Sequence, residues 1–181
     1  MIELANDQIY VTYLHKKNVF DKEKIVIYFG IPSMINKPDN AWWGSPIDAS
    51  WGWKNWCLCE DFGNYDFDNP IKWKLTKDSK ILRIGKEEVF SSKSILKKYT
   101  VNPYSFFNND LEILPELFRE EVCLDFQKIL DDGITAVELL DGSIGHSLDS
   151  FRIPLAMMFN SWDCESIVVL DKSKIIFLGG E

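Results

Sequence analysis

Histidine is nearly absent from this chain: two occur in 181 residues, His15 and His146. The four cysteines are Cys57, Cys59, Cys123 and Cys164, and none forms a C-x-x-C pair. A structural zinc site needs four such ligands at short spacings, so no metal is expected. Cys57 and Cys59, two apart on a helix, point in different directions and suit neither a disulfide nor a chelate. Reduced thiols in a cytosolic protein are the expectation.

Three other features are missing. No basic segment and apolar run follow Met1-Ile2-Glu3-Leu4, so no signal peptide is expected. No apolar stretch approaches the roughly 20 residues of a membrane span. There is no excess of basic charge: 20 Lys and Arg stand against 28 Asp and Glu, a net charge of -8. Such a surface repels phosphate backbones and anionic lipid, so neither nucleic acid nor a membrane is an expected partner. The expected location is the cytoplasm, or the host-cell cytoplasm if the protein is delivered. Repeats, low-complexity tracts and long linkers are also lacking, which predicts one domain over 1–181.

What is present reads as a globular α+β chain. Hydrophobic residues make up 46%, enough for a core without staples. β-branched and aromatic runs predict strands over Ile9 to Leu14, Lys24 to Phe29, Ile71 to Leu75, Lys80 to Ile84 and Ile134 to Leu139. Ser166 to Leu170 and Lys174 to Leu178 read as the last two, parted by a turn at Asp171-Lys172. Helices are predicted over Ala49 to Glu60, with Asp48 as N-cap, and over Lys86 to Tyr99. A third, Leu114 to Leu130, rests on apolar residues recurring every fourth position and stops at Gly133. A fourth covers Phe151 to Phe159. The elements do not alternate as βαβ units, so the expectation is a split antiparallel or mixed sheet with flanking helices.

Glu165 precedes the apolar run Ile167 to Leu170, the mark of a buried central strand. A carboxylate at the mouth of such a strand is held rigidly while its head can sit in a cleft. Asp163, two residues earlier, projects to the same side in extended chain. Without a partner site, these acids could simply end a strand in solvent. Glu138 could face the same cleft or point outward. Asp141, His146 and Ser147 show no nucleophile-elbow pattern, and serial neighbours seldom make a triad. Gly142 to Gly145 is too short for a phosphate-binding loop.

The stretch Asp163-Cys164-Glu165-Ser166-Ile167-Val168-Val169-Leu170-Asp171-Lys172-Ser173-Lys174-Ile175 resembles the C-terminal end of ADP-ribosyltransferase-like domains. There an acid leads into an apolar strand, a short turn and an isoleucine. The family often has Gln-x-Glu or Glu-x-Glu where this chain has Asp163-x-Glu165. The resemblance implies that Glu165 is the catalytic glutamate. The strand ending at His15 is similar to the one that carries the family's NAD-contacting histidine, with Lys16 where glycine is usual. Trp43-Gly44-Ser45-Pro46 and the following segment look like the hydroxyl-bearing wall of a nicotinamide pocket. By resemblance, His15, Trp43, Ser45, Trp53 and Asp163 would bind NAD, which is a substrate here. The implied activity is mono-ADP-ribosylation of a protein acceptor by a bacterial or phage effector or toxin, with NAD hydrolysis as a near variant. The chemistry is consistent: cleavage of the nicotinamide–ribose bond passes through an oxocarbenium-like ribose, which a fixed carboxylate stabilises. A different class remains open. An acidic non-catalytic binding protein, such as an immunity protein or inhibitor, would use the same charge and aromatics to cover a basic partner.

Overall fold

A computed structural model describes residues 1–25, 27, 37–38, 41–91, 93–103, 122–144 and 154–179. Its centre is the strand pair predicted from apolar runs. Ala136–Leu139 (β8) and Ser166–Val169 (β9) are buried along their whole length and pair antiparallel. Six more strands extend this pair into one curled mixed sheet of order β1-β5-β8-β9-β3-β2-β4-β10. They are Ile2–Leu4 (β1), Tyr10–Thr12 (β2), Trp42–Pro46 (β3), Ile71–Leu75 (β4), Lys80–Ile84 (β5) and Ile175–Leu178 (β10). Only β5 and β8 run parallel; the other neighbours are antiparallel. A separate ribbon joins Thr100–Val101 (β6) to Cys123–Leu124 (β7).

Because successive strand residues face opposite sides, each strand feeds two cores. Leu82, Val137 and Val168 face one core with Val89, Ile129, Phe159 and Trp162 from the helical layer. Ile81, Ala136 and Ile167 face the other, with Tyr10, Trp42 and Trp73. The helices are Trp53–Cys59 (α1), Lys86–Phe90 (α2), Phe126–Asp131 (α3) and Pro154–Met157 (α4). This is one α+β domain whose described helices are short.

Several expected elements are corrected. Strand β3, which is not among the expected strands, runs through Gly44-Ser45-Pro46, and its pairing to β2 and β9 supplies the backbone partners. Helix α1 starts at Trp53, not Ala49, with Gly52 as N-cap. The Asp48 carboxylate takes the Gln8 side-chain amide at 2.8 Å instead. The helix expected over Lys86 to Tyr99 is two pieces: α2, and a 3-10 turn over Ile95–Tyr99 capped by the Ser94 hydroxyl. The described end of the Leu114 to Leu130 segment is not one helix. Cys123–Leu124 pairs with β6, and Asp125 restarts the chain as N-cap of α3, accepting from Lys128 N at 2.9 Å. Lys22–Lys24 is a 3-10 turn, so Lys24 does not open a strand. Residues 26 and 28–29 of that expected strand, 114–121, 151–153, His146 and Ser147 lie outside the described residues.

Glu138 faces the second core and not the sheet face that carries Ser166. Arg83 Nε donates to its carboxylate at 2.7 Å across the β5–β8 pair. Burial pushes the Glu138 carboxyl up, against the pull of Arg83. The pair satisfies a charge that would otherwise be buried alone.

Candidate functional site

The first core stops short of the end of β3, and a cavity of about 310 Å³ opens there. Its floor follows from strand alternation. Trp43 and Ser45 share one face of β3, and Ser166 and Val168 share the same face of β9. Trp53 of α1 and Tyr65 of the following loop form one side. Trp162, Asp163 and Cys164, leading into β9, form another. Trp43 meets Trp162 edge to face, with centroids 4.8 Å apart. The lining is therefore aromatic with a few polar groups, the usual make-up of a small-molecule pocket.

Ser45 is buried, and its Oγ accepts a hydrogen bond from Trp53 N at 2.9 Å. This bond caps α1 from a neighbouring strand, because the Gly52 N-cap has no side chain to do so. Lys37 also lines the cavity, with Nζ 5.9 Å from the Trp43 ring centroid. Burial pushes the Lys37 ammonium below the usual lysine range, against the pull of Asp163 and Cys164.

The expected site residues divide. Trp43, Ser45, Trp53 and Asp163 line the cavity together. Glu165 is not among its walls. The Glu165 Oε1 accepts from Ser50 Oγ at 2.6 Å and from Trp51 N at 2.9 Å. Its backbone N donates to Trp51 O at 3.0 Å, and Gly52 forms an isolated parallel bridge with it. Asp163 and Glu165 thus serve different surroundings, contrary to the shared-side expectation. Cys164 sits buried between them, and the chain becomes regular strand only at Ser166.

His15 also stands outside the cavity. Its ring stacks on Tyr65, centroids 4.2 Å apart, and Tyr65 is the residue that reaches the wall. His15 itself borders a separate shallow depression with Lys16, Lys17 and Asn18.

Thr12, Tyr13, Tyr65 and Lys37 are among the contributors that sequence reasoning missed. Thr12 and Tyr13 lie at the end of β2, where the alternation of Val11 and Tyr13 could have marked one face. Tyr65 belongs to an acidic, aromatic loop that gave no directional signal. Lys37 carried no signal at all. Thr12 ties the wall together: its hydroxyl accepts from Trp73 Nε1 at 2.9 Å and donates to Trp43 O. Among the described residues, no group of three or more His, Cys, Asp or Glu could hold a metal ion. No described helix is long and apolar enough to cross a membrane. Compared with family models, with curated proteins and with solved structures, the chain gives no match in any of the three.

Proposed function

We propose that the cavity between Trp43 and Trp53 binds a flat heteroaromatic ring, and that the chain is a mono-ADP-ribosyltransferase using NAD to modify a protein. One observation carries this reading. Ser45 and Glu165 hold the two ends of a single short segment, Ser50 to Trp53, whose last residue walls the cavity. That links the aromatic pocket to the carboxylate of the resemblance through three hydrogen bonds.

At about 310 Å³ the cavity lies at the low end of the usual range of ligand pockets, roughly 300–1,000 Å³. It suits a nicotinamide-sized part of the dinucleotide, with the remainder outside. Indole faces at Trp43 and Trp53 offer stacking surface. Lys37 is the lining residue suited to a phosphate oxygen, and Asp163 to a ribose hydroxyl. Glu165, fixed by Ser50 and Trp51, would stabilise positive charge on the ribose as the C1′–N bond breaks. Nicotinamide leaves neutral with the bonding pair. The acceptor side chain then forms the new bond at C1′ and loses its proton. The protein would act as a bacterial or phage effector in the cytoplasm of its host.

The test is incubation of labelled NAD with a bacterial lysate and the full chain, as wild type and as Glu165→Gln. Transfer of label to protein by the wild type, lost in the variant while it remains folded at the assay temperature, supports the reading. Neither labelling nor nicotinamide release from the wild type overturns it.

A further inference from the structure

We propose that the aromatic ledge formed by α1 and residues 60–68 is a docking surface for an arginine-bearing basic segment of a partner protein. This goes beyond the NAD reading and does not need NAD in the cavity, although Tyr13, Trp53 and Tyr65 of the ledge also line that cavity.

The ledge is a run of rings in mutual contact. Trp53 stacks on Trp56 at 4.9 Å, and Trp56 meets Phe62 at 5.0 Å. Tyr65 follows at 6.4 Å from Phe62, then Phe67 at 6.1 Å and Tyr13 at 5.2 Å. None of the six is buried, and Phe62 is 47% exposed. The contrast with the second core is direct: Tyr10, Trp42 and Trp73 there are almost wholly covered. Aromatic rings gathered at the surface cost hydrophobic free energy, and such patches mark interaction sites.

Phe62 is the exposed ring and the other five are half-buried, and the loop that carries Phe62, Tyr65 and Phe67 is held against local preference. Asp61 sits at φ 48°, a region unfavourable to a residue with a Cβ. Gly63 sits at φ 73°, and a Cβ there would lie 2.4 Å from the Tyr65 ring. Three backbone bonds close the loop: Phe62 N to Cys57 O, Lys16 N to Asn64 O and Asp66 N to Leu14 O, all 2.8–2.9 Å. The ledge is therefore preorganised, which lowers the entropy cost of binding.

Charge names the occupant. Residues 53–69 carry one cation, Lys54, against Glu60, Asp61, Asp66 and Asp68; Lys16, bonded to the loop at Asn64, adds a second cation beside Asp66, and the balance stays acidic. Asp66 is used within the loop, accepting from the Asn69 side chain at 2.9 Å. Glu60, Asp61 and Asp68 are exposed beside the rings. The protein's own chemistry sets the precedent: Lys54 Nζ lies 5.9 Å from the Phe67 centroid. Arginine fits better than lysine, because its flat guanidinium stacks on a ring while its fork meets a carboxylate. The carboxylates disfavour nucleic acid and anionic lipid. A second copy would bring the same negative loop against this one.

The test uses the full chain and fluorescently labelled octapeptides of Gly-Arg, Gly-Lys and Gly-Glu repeats, read by anisotropy at low salt. The Gly-Arg peptide is expected to bind, the Gly-Lys peptide at least about fivefold more weakly and the Gly-Glu peptide not at all. Phe62→Ala and Trp56→Ala should each weaken Gly-Arg binding about tenfold, and Phe62→Tyr should restore it. Asp61→Asn should weaken it, whereas Asp78→Asn, at the β4–β5 turn, should not. Glu165→Gln should leave peptide binding unchanged even where it abolishes label transfer, which separates this proposal from the NAD reading. Equal binding of the Arg and Lys peptides, indifference to Phe62→Ala, or no binding would overturn it. So would self-association of the chain that Phe62→Ala disperses, since the occupant would then be a second copy.

Discussion

Ser45 on β3 and Glu165, just before β9, grip one segment from both ends: Ser45 Oγ takes Trp53 N, and Glu165 Oε1 takes Trp51 N, each at 2.9 Å. Ser50 Oγ adds a 2.6 Å bond to the same carboxylate oxygen. Ser45→Ala removes an N-cap and should cost about 1 kcal/mol in urea denaturation. Glu165→Ala removes the acceptor of two hydrogen bonds at a part-exposed site and should cost about 1–2 kcal/mol. Glu165→Gln keeps an acceptor and should cost less. Both bonds restrain the same four residues, so the double variant should be non-additive by at least about 0.5 kcal/mol. Additivity within measurement error would mean that the two ends are independent.

How much of this was legible in the residues differs by element. Strands β4, β5, β8, β9 and β10 show in their apolar content, because burial on a sheet face selects for it locally. Strand β3 does not. Its Gly44-Ser45-Pro46 composition is turn-like, and its partners on β2 and β9 lie far off in the chain. The fourfold spacing toward Leu130 misled for a similar reason: the backbone at Cys123–Leu124 is claimed by β6. At the site, Glu165 was recognisable as a carboxylate before a buried strand. Its direction was not, since that is set by the Trp51 carbonyl and amide, 114 residues away.

Gly142 packs against the backbone that carries Asp163 and Cys164. A Cβ there would lie 2.5 Å from Cys164 Cα and 2.6 Å from Cys164 N. Neither atom can rotate away, so the chain leading into β9 must shift. Gly142→Ala should therefore cost about 2–3 kcal/mol, the upper part of the range for overpacking. Gly85→Ala is the control: its nearest neighbour is the far end of Glu88, at 3.3 Å, and the cost should stay below about 1 kcal/mol. Because Asp163 and Cys164 wall the cavity, Gly142→Ala should also weaken any ligand held there. Equal urea midpoints for the two variants would refute the packing argument.

The four thiols should separate by chemistry. Cys59 is exposed on α1, while Cys57, Cys123 and Cys164 are each 3% exposed or less. Burial pushes Cys57 up to about 11, and Cys123 and Cys164 to about 12. The thiolate is the reactive species, so at pH 8 these three are both shielded and protonated. An aromatic disulfide reagent should titrate one thiol per native chain rapidly and all four in urea. Cys59→Ser should abolish the fast phase. Cys164 is the informative member of the slow set, because it walls the cavity. A second fast thiol that disappears in Cys164→Ser would mean that the wall around Cys164 parts on the reagent's timescale. Cys164 is 3% exposed although the cavity beside it is open, so that phase should be absent.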